Sequence, residues 1–159
     1  MKHTETKTVF DITQPIQFLA LGFGSGLAPK APGTFGTLAA IPIFLLLTIV
    51  MPTPLLYAFA VIIMGLAGIY ICGKAADDVG VHDHPAIVWD EFVGFFITMF
   101  MVPVSWQSIL VGFILFRVFD IFKPWPISFI DKKMTGGLGI MLDDVLAGIF
   151  ALIIMQLLF

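Results

Sequence analysis

The strongest constraint on this chain is a rhythm of five apolar runs, at residues 35–50, 55–73, 87–104, 107–122 and 140–159. Two kinds of connection alternate between them. The segment around Lys30 and the connections 73–86 and 123–139 carry charge, whereas 51–54 and 103–106 carry none. A helix that spans a bilayer needs about 20 apolar residues, with a range of about 17–25. Several runs sit at the short end of that range, so their polar ends must lie at the interface. Composition agrees. The chain has 159 residues, of which 59% are hydrophobic and 12% charged, against about 45–50% and about 25% in soluble domains. Its mean hydropathy is +1.04. The bilayer is the natural solvent. The expected fold class is all-α: a polytopic membrane helical bundle of about five transmembrane helices, forming one domain over residues 1–159 behind a polar tail at 1–14. An apolar piece at 16–26, interrupted by Gly22, Gly24 and Gly26, is expected to be interfacial or re-entrant.

All eight Lys and Arg residues, Lys2, Lys7, Lys30, Lys74, Arg117, Lys123, Lys132 and Lys133, fall in or near the charged connections and the N-terminus. By the positive-inside rule that face is cytoplasmic. Trp106 is expected at the outer interface, and Trp89 and Trp125 at the inner one, where indole rings favour the headgroup level. A formal charge of −3 gives no basis for nucleic-acid binding, and no obligate protein partner is implied. Cys72 is solitary, so neither a disulfide framework nor a cysteine metal cluster is available. The polar start lacks the apolar region of a cleavable signal peptide, and none is expected.

The acids past the tail are grouped. Asp77-Asp78 follows the second run, Asp90-Glu91 begins the third helix, Asp120 lies near the end of the fourth, and Asp143-Asp144 opens the fifth. In Asp90-Glu91-x-x-Gly94 and in Asp143-Asp144-x-x-Ala147-Gly148, a carboxylate pair is followed one turn later by small residues. Positions four apart share a helix face, and small residues let membrane helices approach closely. Close packing of these two helices gathers four carboxylates. One acidic pair at a helix start is ordinary macrodipole complementarity, but two matched pairs at one interface exceed that need. Ionisable groups at membrane depth are costly and usually functional, and clustered carboxylates repel. A divalent cation resolves the repulsion. An all-oxygen set with room for water and phosphate suits Mg²⁺. Asp90, Glu91, Asp143 and Asp144 are the candidate ligands.

Arg117, Asp120 and Lys123 are spaced by three along one helix. Arg117 lies inside an apolar run and requires an anion. Asp120 alone meets that need in a purely structural pairing; a phosphate, gripped by the guanidinium, meets it functionally. Lys123 adds a point charge. At the mouth of the first helix, Pro29-Lys30-Ala31-Pro32-Gly33-Thr34-Phe35-Gly36-Thr37 offers free backbone N–H groups, with Thr34 or Thr37 as possible caps. Such a segment is an ordinary helix start more often than a phosphate cradle, and the same holds for Thr135-Gly136-Gly137-Leu138-Gly139. His82 and His84 stand in a charged loop, where histidines are usually solvated, and are left out of the site, as is His3.

Some chemistries are not supported. Cys72 has Asp78 where a cysteine phosphatase needs arginine, and Asp77-Asp78-Val79 does not match the haloacid-dehalogenase nucleophile motif. The signatures of type-2 phosphatidic-acid phosphatases and of CDP-alcohol phosphotransferases are absent as well.

Four ordered segments resemble the phosphatidylglycerophosphatase A family: Gly22 through Thr34, Val88-Trp89-Asp90-Glu91-Phe92-Val93-Gly94, Phe116 through Ile127, and Gly136 through Gly148. The resemblance implies a multi-pass bacterial inner-membrane enzyme that hydrolyses phosphatidylglycerophosphate to phosphatidylglycerol and phosphate with Mg²⁺, its active site on the cytoplasmic face. On that expectation Asp90, Glu91, Asp143 and Asp144 hold the metal and Asp78 assists. Arg117, Lys123, Lys30, Thr34 and Thr37 contact phosphate. Asp120 orients Arg117 or acts as base. Water attack and an aspartyl-phosphate both remain open. A transporter or channel with an interfacial acidic site is the rival, although such sites normally lie near the midplane.

Overall fold

The computed structural model describes residues 9–159, within which every regular element is helical. Lys2, His3 and Lys7 lie outside the described residues. Helices α1 (Pro15–Ala20), α2 (Pro32–Val50), α3 (Pro54–Val79), α4 (Trp89–Thr98), α5 (Trp106–Phe122), α6 (Ile127–Lys133) and α7 (Gly136–Leu158) follow in order, with a single 3-10 turn at Ser25–Leu27. The piece expected to be interfacial is thus α1 plus this turn, anchored where the Val88 N–H donates to Ala20 O at 2.8 Å.

Local chemistry sets several of these boundaries. Pro32 and Pro54 stand in the first turns of α2 and α3, where the fixed φ suits a helix start and no N–H is missed. The Thr53 hydroxyl accepts from the Leu56 N–H, and Ser105 with Ser108 forms a reciprocal capping box on α5. Gly80, at φ 71°, closes α3 in the left-handed conformation.

Among the described residues, three helices are long and apolar enough to cross a membrane: α2, α3 and α7. Their outward faces carry large apolar side chains such as Ile49, Leu55, Phe59 and Leu157, which is how a lipid-facing surface is built. The run 87–104 differs from a simple span. Only ten of its residues are helical, and nine of those ten are buried. A helix apolar on every side belongs inside, and α4 is packed among α2, α3, α5 and α7. Its early end is tolerated because side chains satisfy carbonyls in and just beyond its last turns. The Tyr57 hydroxyl donates to Phe96 O at 2.8 Å, the Gln156 amide donates to Phe100 O at 2.8 Å, and Thr98 Oγ1 donates to Gly94 O at 3.0 Å.

The expectation for Trp89 is corrected. It is buried, its indole N–H donates to Met64 O at 3.1 Å, and its ring stacks on Phe92. Trp89 therefore packs α4 onto α3 and is no headgroup anchor. Trp106 and Trp125 are well exposed.

At the α4–α7 crossing the two backbones come into direct contact. A Cβ on Gly148 would stand 2.5 Å from Gly94 O, and one on Gly94 would stand 2.4 Å from the Phe116 ring. Only glycines let these backbones touch. One turn before each glycine, on the same faces, come Asp90 and Asp144.

Candidate active site

The bundle brings side chains from three helices to one end. Asp90 and Glu91 come from the first turn of α4, Arg117 and Asp120 from the last turns of α5, Lys123 from its terminus, and Asp143 and Asp144 from α7. They line a cleft of about 320 Å³, closed on one side by Ala31, Pro32 and Gly33 at the start of α2.

Three carboxylates form the floor. One oxygen from each of Asp90, Glu91 and Asp144 lies within 4.8 Å of the others. Among the described residues, Asp90 Oδ1, Glu91 Oε2 and Asp144 Oδ2 are buried without a hydrogen-bond partner. Unpartnered buried carboxylate oxygens are strongly unfavourable, and more so beside like charges. Their convergence is the donor set a hard divalent cation takes, so the residues fit Mg²⁺.

Arg117 stands beside this floor. Its Nη1 pairs with Asp120 Oδ2 and lies 3.7 Å from Glu91 Oε1, while its Nε is buried and unpartnered. Gly33 makes room for it: a Cβ there would meet Glu91 Oε1 at 2.5 Å and the guanidinium at 3.0 Å. The guanidinium is thus oriented by one carboxylate and shared with the floor, which leaves donor capacity facing the cleft.

Lys123 is held at the rim between Asp131 and Asp143, at 2.7 Å from each. It adopts φ 44° at the end of α5, immediately before Pro124, and this sharp turn carries its ammonium back over α7. Asp143 is therefore engaged by a cation from another helix and stands apart from the three floor carboxylates.

Other expected site residues lie elsewhere. Helix α2 begins at Pro32, behind an uncapped Ala31 at φ 48°, so neither threonine caps it. Thr34 already lies within the first turn, and the buried Thr37 hydroxyl donates back to Gly33 O at 2.9 Å. The helix starts earlier than its apolar run because proline tolerates the first position. Lys30 is exposed and does not line the cleft. Asp78 pairs with Lys74 on α3 and accepts from the Gln17 amide at 3.4 Å, outside the cleft.

Three residues left out by sequence reasoning are present. Asp83 and His84 line the cleft from the α3–α4 connection, and Asp131 braces Lys123. Their one sequence signal was membership of the charged connections, which many solvated residues share. His82 plays a different part: its Nε2 accepts from the Gly136 N–H at 2.8 Å, fastening this connection to the start of α7.

Comparison with known proteins points to one group. The family model described as Phosphatidylglycerophosphatase A matches residues 18–159. A protein of Escherichia coli (strain K12) named Phosphatidylglycerophosphatase A is 47% identical over 146 residues, covering 91% of this chain and 84% of that protein. A protein of the same name from Haemophilus influenzae is 49% identical over 144 residues, covering 90% and 88%. No solved structure matches. The match includes α4, α5 and α7 with every carboxylate of the cleft, and the chain belongs to the phosphatidylglycerophosphatase A family.

Proposed function

We propose that this chain removes the terminal phosphate of phosphatidylglycerophosphate in a divalent-cation-dependent hydrolysis, yielding phosphatidylglycerol and inorganic phosphate. Family membership supports the substrate and the reaction. The observation that carries the chemistry is the set of unpartnered oxygens on Asp90, Glu91 and Asp144 beside the half-buried Arg117.

Asp90, Glu91 and Asp144 would hold the cation. When bound, Mg²⁺ supplies charge against the phosphomonoester and acidity for a water molecule. Arg117 binds the phosphoryl oxygens through the donors that Asp120 and Glu91 leave over, and its guanidinium favours the charge that builds on them. Asp120 acts as the orienting group, because its carboxylate is committed to Arg117. Lys123, steadied by Asp131 and Asp143, closes the rim as a point charge. With Asp120 and Asp143 occupied by cations and the other three carboxylates facing the metal, water is the nucleophile we assign.

The fold suits a lipid substrate. Helix α5, with 17 residues, is about 25 Å long and crosses as a fourth helix. The fifth pass is made by α4 together with the irregular residues 99–105, which reach the α2–α3 connection, where Met51, Pro52, Met99 and Val102 line one cavity. Backbone off the helix is acceptable at membrane depth when protein buries it. Lys30, Lys74, Lys132 and Lys133 belong to segments at the cleft end, which makes that end cytoplasmic under the positive-inside rule. A lipid then stays in the inner leaflet while its headgroup phosphate enters the cleft.

The deciding measurement is product analysis with purified protein and phosphatidylglycerophosphate, with Mg²⁺ and then with excess chelator. Phosphate and phosphatidylglycerol are expected in the first condition alone, with activity restored by added Mg²⁺. Undiminished turnover in chelator would sink the metal assignment, and no phosphate release under either condition would sink the function.

A further inference from the structure

We propose that His84 reads the glycerol part of the headgroup, donating an Nε2–H hydrogen bond to its free hydroxyl. The assignment deepens, and rests on, the phosphatase reading above.

His84 stands at a boundary. It lines the acidic cleft, and together with Pro32 and Pro85 it also lines an adjoining cavity of about 470 Å³. Among the described residues, the remaining walls of that cavity, which include Val9, Phe10, Leu27 and Pro29, carry no ionisable side chain. The imidazole is fixed in place. Its Nδ1 accepts from the Ala86 N–H at 3.1 Å, and the Phe10 ring packs edge-on at 4.9 Å between centroids. A neutral imidazole whose Nδ1 accepts carries its proton on Nε2, so a neutral donor is held between a charged compartment and an apolar one.

The substrate has the same division. Its terminal phosphate belongs with Arg117, Lys123 and the cation. The next atoms are a three-carbon unit bearing one hydroxyl, which must pass from the cleft into the adjoining space. Phosphate oxygens are already served by cations, whereas a neutral N–H suits a neutral hydroxyl. A site built to hydrogen-bond a substrate hydroxyl discriminates against an analogue lacking it, because the protein donor is then left unpaired.

The test is a substrate-by-variant cycle with the purified full chain in mixed micelles. The two substrates are phosphatidylglycerophosphate and an analogue whose headgroup glycerol is replaced by 1,3-propanediol. Wild type is expected to prefer the natural substrate by about tenfold in kcat/KM, the scale of one hydrogen bond at about 1.4 kcal/mol. His84→Asn keeps an acceptor for the Ala86 N–H and removes the Nε2 donor. It should lose about tenfold on the natural substrate and nothing on the analogue. His84→Gln, whose amide reaches toward the former Nε2 position, should recover part of the preference. An equal loss on both substrates in His84→Asn, with or without a lowered unfolding temperature, overturns the assignment. So does a wild type that turns over both substrates equally, a result that leaves the phosphatase reading standing. Wild type that releases phosphate from neither substrate defeats the phosphatase reading itself.

Discussion

The two carboxylate pairs look alike in sequence and are used differently. On α4, Asp90 and Glu91 both contribute to the floor of the cleft. On α7 the pair divides: Asp144 joins that floor, while Asp143 turns to Lys123. The difference is made by a third element. Lys123 sits at the sharp end of α5, within reach of Asp143, whereas the cation beside Glu91 is Arg117, already bound to Asp120. An acidic pair is therefore not a unit of function. Each carboxylate takes the role that the nearest available positive charge leaves to it.

That contrast orders the expected effects of substitution. Asp144→Asn and Asp90→Asn should each lower turnover by about 10³-fold or more, the scale of several kcal/mol of lost charge stabilisation, with membrane insertion unchanged. Phosphate release alongside a membrane-extraction assay checks this, and full activity in either variant removes the floor assignment. Arg117→Lys keeps the charge but loses the planar fork, and should cost about 10²-fold in kcat; a change in KM alone would show that the guanidinium merely binds. Asp143→Asn should cost only about 10–100-fold, as expected for a residue that acts through another group. If it matches Asp144→Asn under the same assay, the division of the α7 pair is wrong. Smallest of all, Asp78→Asn disturbs one solvent-screened pair outside the cleft. Its kcat/KM should stay within about twofold of wild type, and a large loss would bring Asp78 back into the site.

The backbone beneath the pairs can be tested separately. Gly148→Val forces a side chain against Gly94 O, already 2.5 Å from an ideal Cβ. It should lower the thermal unfolding midpoint in detergent and with it activity, since the floor depends on the α4–α7 approach. An unchanged midpoint would mean that the helices are less tightly joined than the glycine contact requires.

Much of this was legible from residue types and spacing. The solvent of the fold follows from five apolar runs, and the end of the bundle at which the acids and cations gather follows from where Asp, Glu, Lys and Arg fall. Asp90 with Gly94 and Asp144 with Gly148 mark the faces on which α4 and α7 meet, because a four-residue interval keeps acid and glycine on one side of a helix. The grouping of Arg117 with Asp120 follows from the same periodicity.

Other features depended on the assembled bundle. Hydropathy treats residues 87–104 as one more span, since it counts apolar side chains and is blind to whether lipid or protein surrounds them. The early end of α4 is supported by Tyr57 at Phe96 O and by Gln156 at Phe100 O, just beyond the helix, both distant in sequence. The same blindness put Trp89 at the headgroups. Asp143, Asp131 and Lys123 find one another only through the turn at Pro124, and His84 reaches the cleft only because its loop folds back beneath α2. Helical periodicity is local and can be read along the chain. The partner of a charge is the nearest opposite charge in space, and only the packed bundle brings it there.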